Sequence, residues 1–167
     1  MNRPEKHEYP AWAETYIKLV DGDVFELLER QANEFSSFIS DLIENADYSY
    51  SPGKWTIKEL VGHLIDTERI LVYRLTCFAR GERQALPGFD EDEYVANSRF
   101  SERSLLSLSE EFRLLRKSNL YLFKSINDTD LDRVGIANDK QVTVRAMLYV
   151  IAGHIIHHTH IIKERYL

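Results

Sequence analysis

The chain has 167 residues and carries 21 Lys and Arg against 27 Asp and Glu, a formal net charge of −6. One domain of this length can bury its own core; the single cysteine excludes an internal disulfide and a cysteine-based zinc site, and the acidic balance without a dense Lys/Arg cluster argues against a nucleic-acid surface. No apolar run reaches the ~18 residues of a membrane span, and the opening MNRPEKHEYP has no apolar signal-peptide core. The expectation is a cytoplasmic protein whose partner is a small molecule, with no membrane and no nucleic acid involved.

Residues 1–22 carry Tyr9, Trp12 and Tyr16 and read as an arm that packs on the remainder. From Val24 to Ala46 the apolar positions Val24, Leu27, Leu28, Phe35, Phe38, Ile39, Leu42 and Ile43 follow the three-and-four spacing of a helix, with Gln31 as the exception. Asp21 and Asp23 stand before it, where acids cap or favour a helix N-terminus. A second helix is predicted over Thr56–Ala79. Thr56 and Glu59 form a capping-box pair, and Gly81 follows the last turn where a left-handed cap is expected. The next segment, GERQALPGFDEDEYVANSRF, is long for a bundle connection, so it crosses over or lines a site. A third helix is predicted from Ser101 or Ser104 to Ile126, with only Asn119 polar in its stripe. The fourth, Thr143–Tyr166, is apolar over much of its circumference, as in a helix buried on several sides. Pro52, Gly53, Gly81, Pro87, Gly88 and Gly135 fall between these segments, and none shows a sustained period of two. Four helices of ~33–37 Å predict an all-α, single-domain (1–167) antiparallel four-helix bundle with a long connection between helices 2 and 3.

Four of the six histidines lie between positions 154 and 160. On a helix, residues four apart differ by ~40° around the axis, so His154 and His158 stack one turn apart, within ~60° of Met147, Val150, Ile151 and Ile161. An i,i+4 histidine pair on one face is a spacing that binds zinc on helices. Spacing alone also admits His154 with His157, or His157 with His160; the apolar stripe favours the first pair. A structural core histidine gives the same pattern, and a zinc site needs at least three protein ligands. The other histidine in a predicted helix is His63, on the flank of helix 2, with Asp66 placed to accept its free N–H. Gly62 and Gly153 each precede one of these histidines. A mid-helix glycine costs about 1 kcal/mol relative to Ala, which close backbone approach or space beside a metal would offset.

The segments Pro52-Gly53-Lys54-Trp55-Thr56-Ile57-Lys58-Glu59, Gly62-His63-Leu64-Ile65-Asp66-Thr67-Glu68-Arg69, Tyr73-Arg74, Leu86-Pro87-Gly88-Phe89-Asp90, Glu111-Phe112-Arg113 with Arg116, Val144-Arg145-Ala146, and Gly153-His154 with His157-His158 resemble the DinB-like (DinB/YfiT-like) superfamily of four-helix metal-binding proteins. The resemblance covers nearly the whole chain. It implies a divalent metal held by His63, His154 and His158, with His157 a supporting or rim group. Zinc is the first choice, and nickel or iron also suit imidazole ligands. It further implies a homodimer, and hydrolysis or S-transfer with a low-molecular-weight thiol.

No residue stands out as the base. Asp66, Glu68 and His157 lie near the ligands in sequence, and Asp90, Asp92, Glu93 and Tyr94 lie on the long connection; of these Glu68, Asp90 and Tyr94 are the pocket-lining candidates. Arg69, Arg74, Arg113, Arg116 and Arg145 can bind an anionic ligand, although internal ion pairing is the expected role for most. Cys77 reads as a small packed residue, not a nucleophile. Two function classes follow. One is a metal-dependent transferase or hydrolase, and the other is a non-catalytic metal- or small-molecule-binding stress protein. A helical scaffold without metal is a third, weaker reading.

Overall fold

In the computed structural model, which describes residues 1–167, each long helix begins at a residue whose side chain satisfies otherwise unpaired N–H groups. After an arm containing one helical turn (α1, Glu14–Ile17), the Asp23 carboxylate accepts from the Phe25 and Glu26 N–H groups and opens α2, Val24–Ser40. Thr56 and Glu59 cap α3, Ile57–Ala79, reciprocally. Ser104, not Ser101, accepts from Ser107 N–H to open α5, Leu105–Ser125, and Thr143 accepts from Ala146 N–H to open α7, Val144–Arg165. At the end of α3, Gly81 takes the left-handed conformation (φ +84°). Glu82 N–H reaches Cys77 O while Gly81 N–H reaches Phe78 O, a Schellman stop.

Two local readings need correction. The first long helix ends at Ser40, not Ala46; a 3₁₀ turn over Ile43–Asn45 follows. That tightening buries Leu42 and Ala46 at the bundle end and lets Ala46 O accept from Lys58 N–H, so the chain is already turning into α3. The chain is also not wholly helical. After a single turn, α6 (Asp128–Leu131), strands β1 (Val134–Ala137) and β2 (Lys140–Thr143) form an antiparallel hairpin. Its two-residue turn, Asn138-Asp139, has both residues at positive φ, as a type I′ turn requires. Four-residue strands are too short to show a period. Gly135 lies within β1, where the Phe78 ring leaves no room for a Cβ.

Around the bundle the long helices stand in the order α2, α5, α3, α7, so α2–α3 and α5–α7 are diagonal. Ser36 meets Ser109 and Glu29 meets Lys124, which makes α2 and α5 antiparallel. Lys58 reaches Ser101 O and Glu68 reaches Arg116, so α3 and α5 run parallel. The Trp55–Tyr166 and His63–His154 contacts make α3 and α7 antiparallel. Gln31–Ala152 and Phe38–Lys163 make α2 and α7 parallel. A parallel α3–α5 pair requires the chain to travel back the length of the bundle, and residues 80–104 do so, with the short α4 (Glu91–Ala96) on the way. No helix is long and apolar enough to cross a membrane.

The apolar core falls into two clusters. One gathers Leu28, Leu75, Phe78, Phe123, Met147 and Leu148; the other gathers Phe35, Leu64, Phe112, Ile155 and Ile162. Each long helix also buries polar groups, and one set drawn from all four is bonded together: Gln31, Glu68, Arg116 and the Ala152 carbonyl. Arg116, 0 % exposed, bonds both Glu68 oxygens at 2.8 and 2.7 Å and Gln31 Oε1 at 2.7 Å. Gln31 Nε2 donates to Ala152 O, and Asn119 donates to Glu68. The polar interruptions Gln31 and Asn119 in the helical stripes are thus partners of one buried ion pair.

Candidate metal centre and the cavity above it

Antiparallel packing of α3 on α7 brings His63 against the stacked pair His154 and His158, all three buried. One ring nitrogen from each lies within 4.8 Å of the others, and His63 Nε2 is 3.3 Å from His154 Nε2. Nitrogens bound at ~2.0–2.1 Å around tetrahedral zinc stand ~3.3 Å apart, so this donor set fits one ion. His63 Nδ1 faces Thr67 Oγ1 at 3.3 Å, which leaves Nε2 for the centre of the cluster. His158 Nδ1 is sealed from solvent without a hydrogen-bond partner. Burial lowers the pKa of His63 to about 4 and of His158 to about 3, and holds His154 well below its usual range; mutual repulsion of the protonated rings adds to this for His154 and His158. At neutral pH the three imidazoles therefore present lone pairs.

The two glycines beside these histidines serve close packing. A Cβ at Gly153 would run into the carbonyl of Tyr16, and one at Gly62 into the Phe100 ring. The first approach seats the arm on α7, where Tyr16 packs edge-on against both His154 and His157 with ring centres 5.3 Å apart. Trp55 lies 4.8 Å from His63 on the other side.

Above the cluster is a cavity of about 510 Å³. His63, His154, His157 and His158 reach it, as do Thr67, Leu71 and Arg74 of α3 and Met147 and Val150 of α7. Trp12 and Tyr16 of the arm, Phe89 and Glu91 of the long connection, and Asn138, Lys140 and Val142 of the hairpin complete it.

The residues singled out from the sequence divide between this cavity and other sites. His157 lines the cavity, half-buried beside His158. Asp66 lies on the flank of α3 and pairs with Arg69 at 3.3 Å; the hydroxyl next to His63 belongs to Thr67. Glu68 is committed to Arg116, away from the cavity. Asp90 is exposed and caps α4 through Glu93 N–H at 3.0 Å. Tyr94 is exposed and packs on Phe89. The connection does line the cavity, but through Phe89 and Glu91. Sequence reasoning passed over Thr67, although it stands four residues from His63, the same spacing that singled out His154 and His158. The hairpin residues carried no local signal.

The chain belongs to the DinB superfamily: the family model matches residues 27–162. A solved structure, YfiT from Bacillus subtilis, described as "a probable metal-dependent hydrolase with an unusual four-helix bundle topology", matches with a TM-score of 0.74 at 20% identity, over 84% of this chain and 82% of that one. No curated protein sequence matches significantly.

Proposed function

We propose that His63, His154 and His158 hold one divalent metal ion, with zinc the first choice and nickel or iron also suited, and that the protein is a metal-dependent hydrolase or thiol S-transferase of a small molecule. The observation that carries this reading is the convergence of three uncharged imidazoles, with no protein acid among them, at a cavity large enough for a small molecule. An ion in that cradle supplies Lewis acidity towards an oxygen, or holds a sulfur as thiolate. The chain's own residues do the rest. Thr67 orients His63, Tyr16 and Trp55 fix the rings from outside, and Leu71, Met147 and Val150 exclude water from the wall. His157, kept neutral by partial burial, is the group assigned to carry a proton.

The alternative, a binding protein with a closed metal site, is disfavoured because the cluster borders the cavity. Metal analysis tests the site: wild type carries about one ion per chain, and His63→Ala and His158→Ala lose it. Full occupancy in both variants overturns the assignment. For the reaction, glutathione, bacillithiol and mycothiol are screened against a generic electrophile beside an ester panel. Metal-dependent turnover in one arm chooses between transfer and hydrolysis, and none in either supports the binding-protein reading. The homodimer implied by the resemblance is tested by sedimentation, where a monomer throughout removes it.

A further inference from the structure

Eight of the thirteen arginines pair with acids, and of the other five (Arg30, Arg74, Arg80, Arg83 and Arg165) only Arg74 is buried. Arg69 pairs with Asp66 and Glu111, Arg113 with Glu110, Arg116 with Glu68, and Arg145 with Glu8 and Asp132. Arg74 differs. It is only 9 % exposed, lines the cavity and has no carboxylate within ion-pair distance. Its hydrogen-bond partner is the carbonyl of Pro87, at 2.6 Å from Nη2, and its guanidinium also lies 5.7 Å from the centre of the Phe89 ring. Nε and Nη1 have no protein partner, and neither is sealed from solvent in a residue that lines the cavity. Burial without an opposing acid lowers the guanidinium's pKa. The other charged residues of the lining, Lys140 and Glu91, are exposed.

Arg74 is also aligned with the histidine cluster. It follows His63 by about three turns of α3, ~20° around the axis and ~16 Å along it. The long arginine stem leans back towards the preceding turns, and Leu71, Met147 and Val150 supply apolar wall to the same cavity.

We propose that Arg74 is an anion subsite, so that the small molecule bound over the three histidines carries a carboxylate or phosphate on the order of 10 Å from its reacting end, with an apolar stretch between. The guanidinium fork suits both anions, and bidentate contact favours a carboxylate or phosphate over a neutral end group. The assignment of the reacting end rests on the metal reading of the cluster, whereas the anion end does not.

The first test therefore uses metal-free protein at neutral pH, where no ion competes for the anion. Octanoate, octyl phosphate and octanol are titrated calorimetrically into wild type, Arg74→Met and Arg74→Lys. Wild type is expected to bind at least one of the two anions roughly 10-fold or more above octanol, and which anion leads identifies the source. Arg74→Met removes that preference while octanol affinity stays within about twofold. Arg74→Lys, which keeps the charge and the stem, retains part of it, and circular dichroism verifies the fold of both. Equal affinity for all three probes in wild type overturns the subsite, as does an undiminished anion preference in folded Arg74→Met.

The second test adds cobalt(II) and follows the thiolate–cobalt absorption band. Arg74→Met is expected to weaken mercaptooctanoate and spare mercaptopropionate, which is too short to span the gap. Equal weakening of both removes the spacing argument. Failure of cobalt to bind at all removes the metal reading and leaves the calorimetric result standing.

Discussion

A valine at position 67 keeps the volume of Thr67 and deletes the hydroxyl that stands 3.3 Å from His63 Nδ1. Partners of this kind orient a ligand ring, and their loss costs roughly 10- to 100-fold in metal affinity. Thr67→Val is therefore expected to fold normally and bind zinc more weakly by that factor in a chelator competition; unchanged affinity would mean that packing alone orients His63. The histidines also set a pH response. In the folded, metal-free chain the pKa of His63 is about 4 and that of His158 about 3, below the ~6.5 of an unfolded histidine. Between those values the unfolded chain binds more protons, so stability is retained above pH ~6.5 and lost as pH falls towards ~4. His63 alone accounts for about 3 kcal/mol of that loss. Urea midpoints measured with chelator at several pH values should drop through this window, and should drop less in His63→Ala. A flat profile would show that the cluster is hydrated.

At the scale of helices and strands, the buried Glu68–Arg116 pair joins α3 to α5. Arg116→Met leaves a carboxylate buried without its counter-ion, a change that costs about 3–5 kcal/mol. The double variant Glu68→Leu with Arg116→Met removes both charges and is expected to recover most of that loss in urea unfolding; no difference between single and double variants would refute the coupling. Features at this scale were legible where they are local. The caps at Thr56 and Asp23 and the stop at Gly81 depend on atoms within a few residues, and each stands where the pattern placed it. The early end of α2 was not visible, because Leu42 leaves the helix to fill space made by other elements. Nor was the hairpin, whose strands take their position from Phe78 and the bridge between Leu86 and Ala137. The i,i+4 relation of His154 and His158 is local, and so was readable. The proximity of His63 depends on which helices are neighbours, and spacing within one helix holds no such information. The commitment of Glu68 to Arg116 was hidden for the same reason.

For the whole molecule, a metal ion bound only by the folded chain adds stability by mass action, about 4 kcal/mol at ~1,000 times its Kd. For a domain of this size, 1 kcal/mol moves Tm by ~2–4 °C, so stripping the ion is expected to lower Tm by roughly 8–16 °C. His158→Ala should show little response to chelator, and an equal response in that variant would place the ion elsewhere. The arm belongs to the same unit. Ala13, Ile17 and Val20 are buried in the larger cluster, and Gly153 admits the Tyr16 backbone. Gly153→Ala is expected to cost about 1–3 kcal/mol through that clash.

The bonded layer formed by Gln31, Glu68, Arg116 and the Ala152 carbonyl has a mechanical consequence. Apolar contacts are non-directional, so they fix the axial setting of a helix less sharply than paired polar groups do. Here a slip of one turn, ~5.4 Å, would drive an ion pair into hydrocarbon and part it from its partners. The layer acts as a detent, indexing all four helices to a single axial setting. Ligand nitrogens must be held to within about 0.5 Å to keep their geometry, and α3 and α7 acquire that tolerance from a contact that touches neither metal nor substrate. The charge-free double variant can then regain thermal stability and still bind its ion loosely, because what it lacks is alignment, not cohesion.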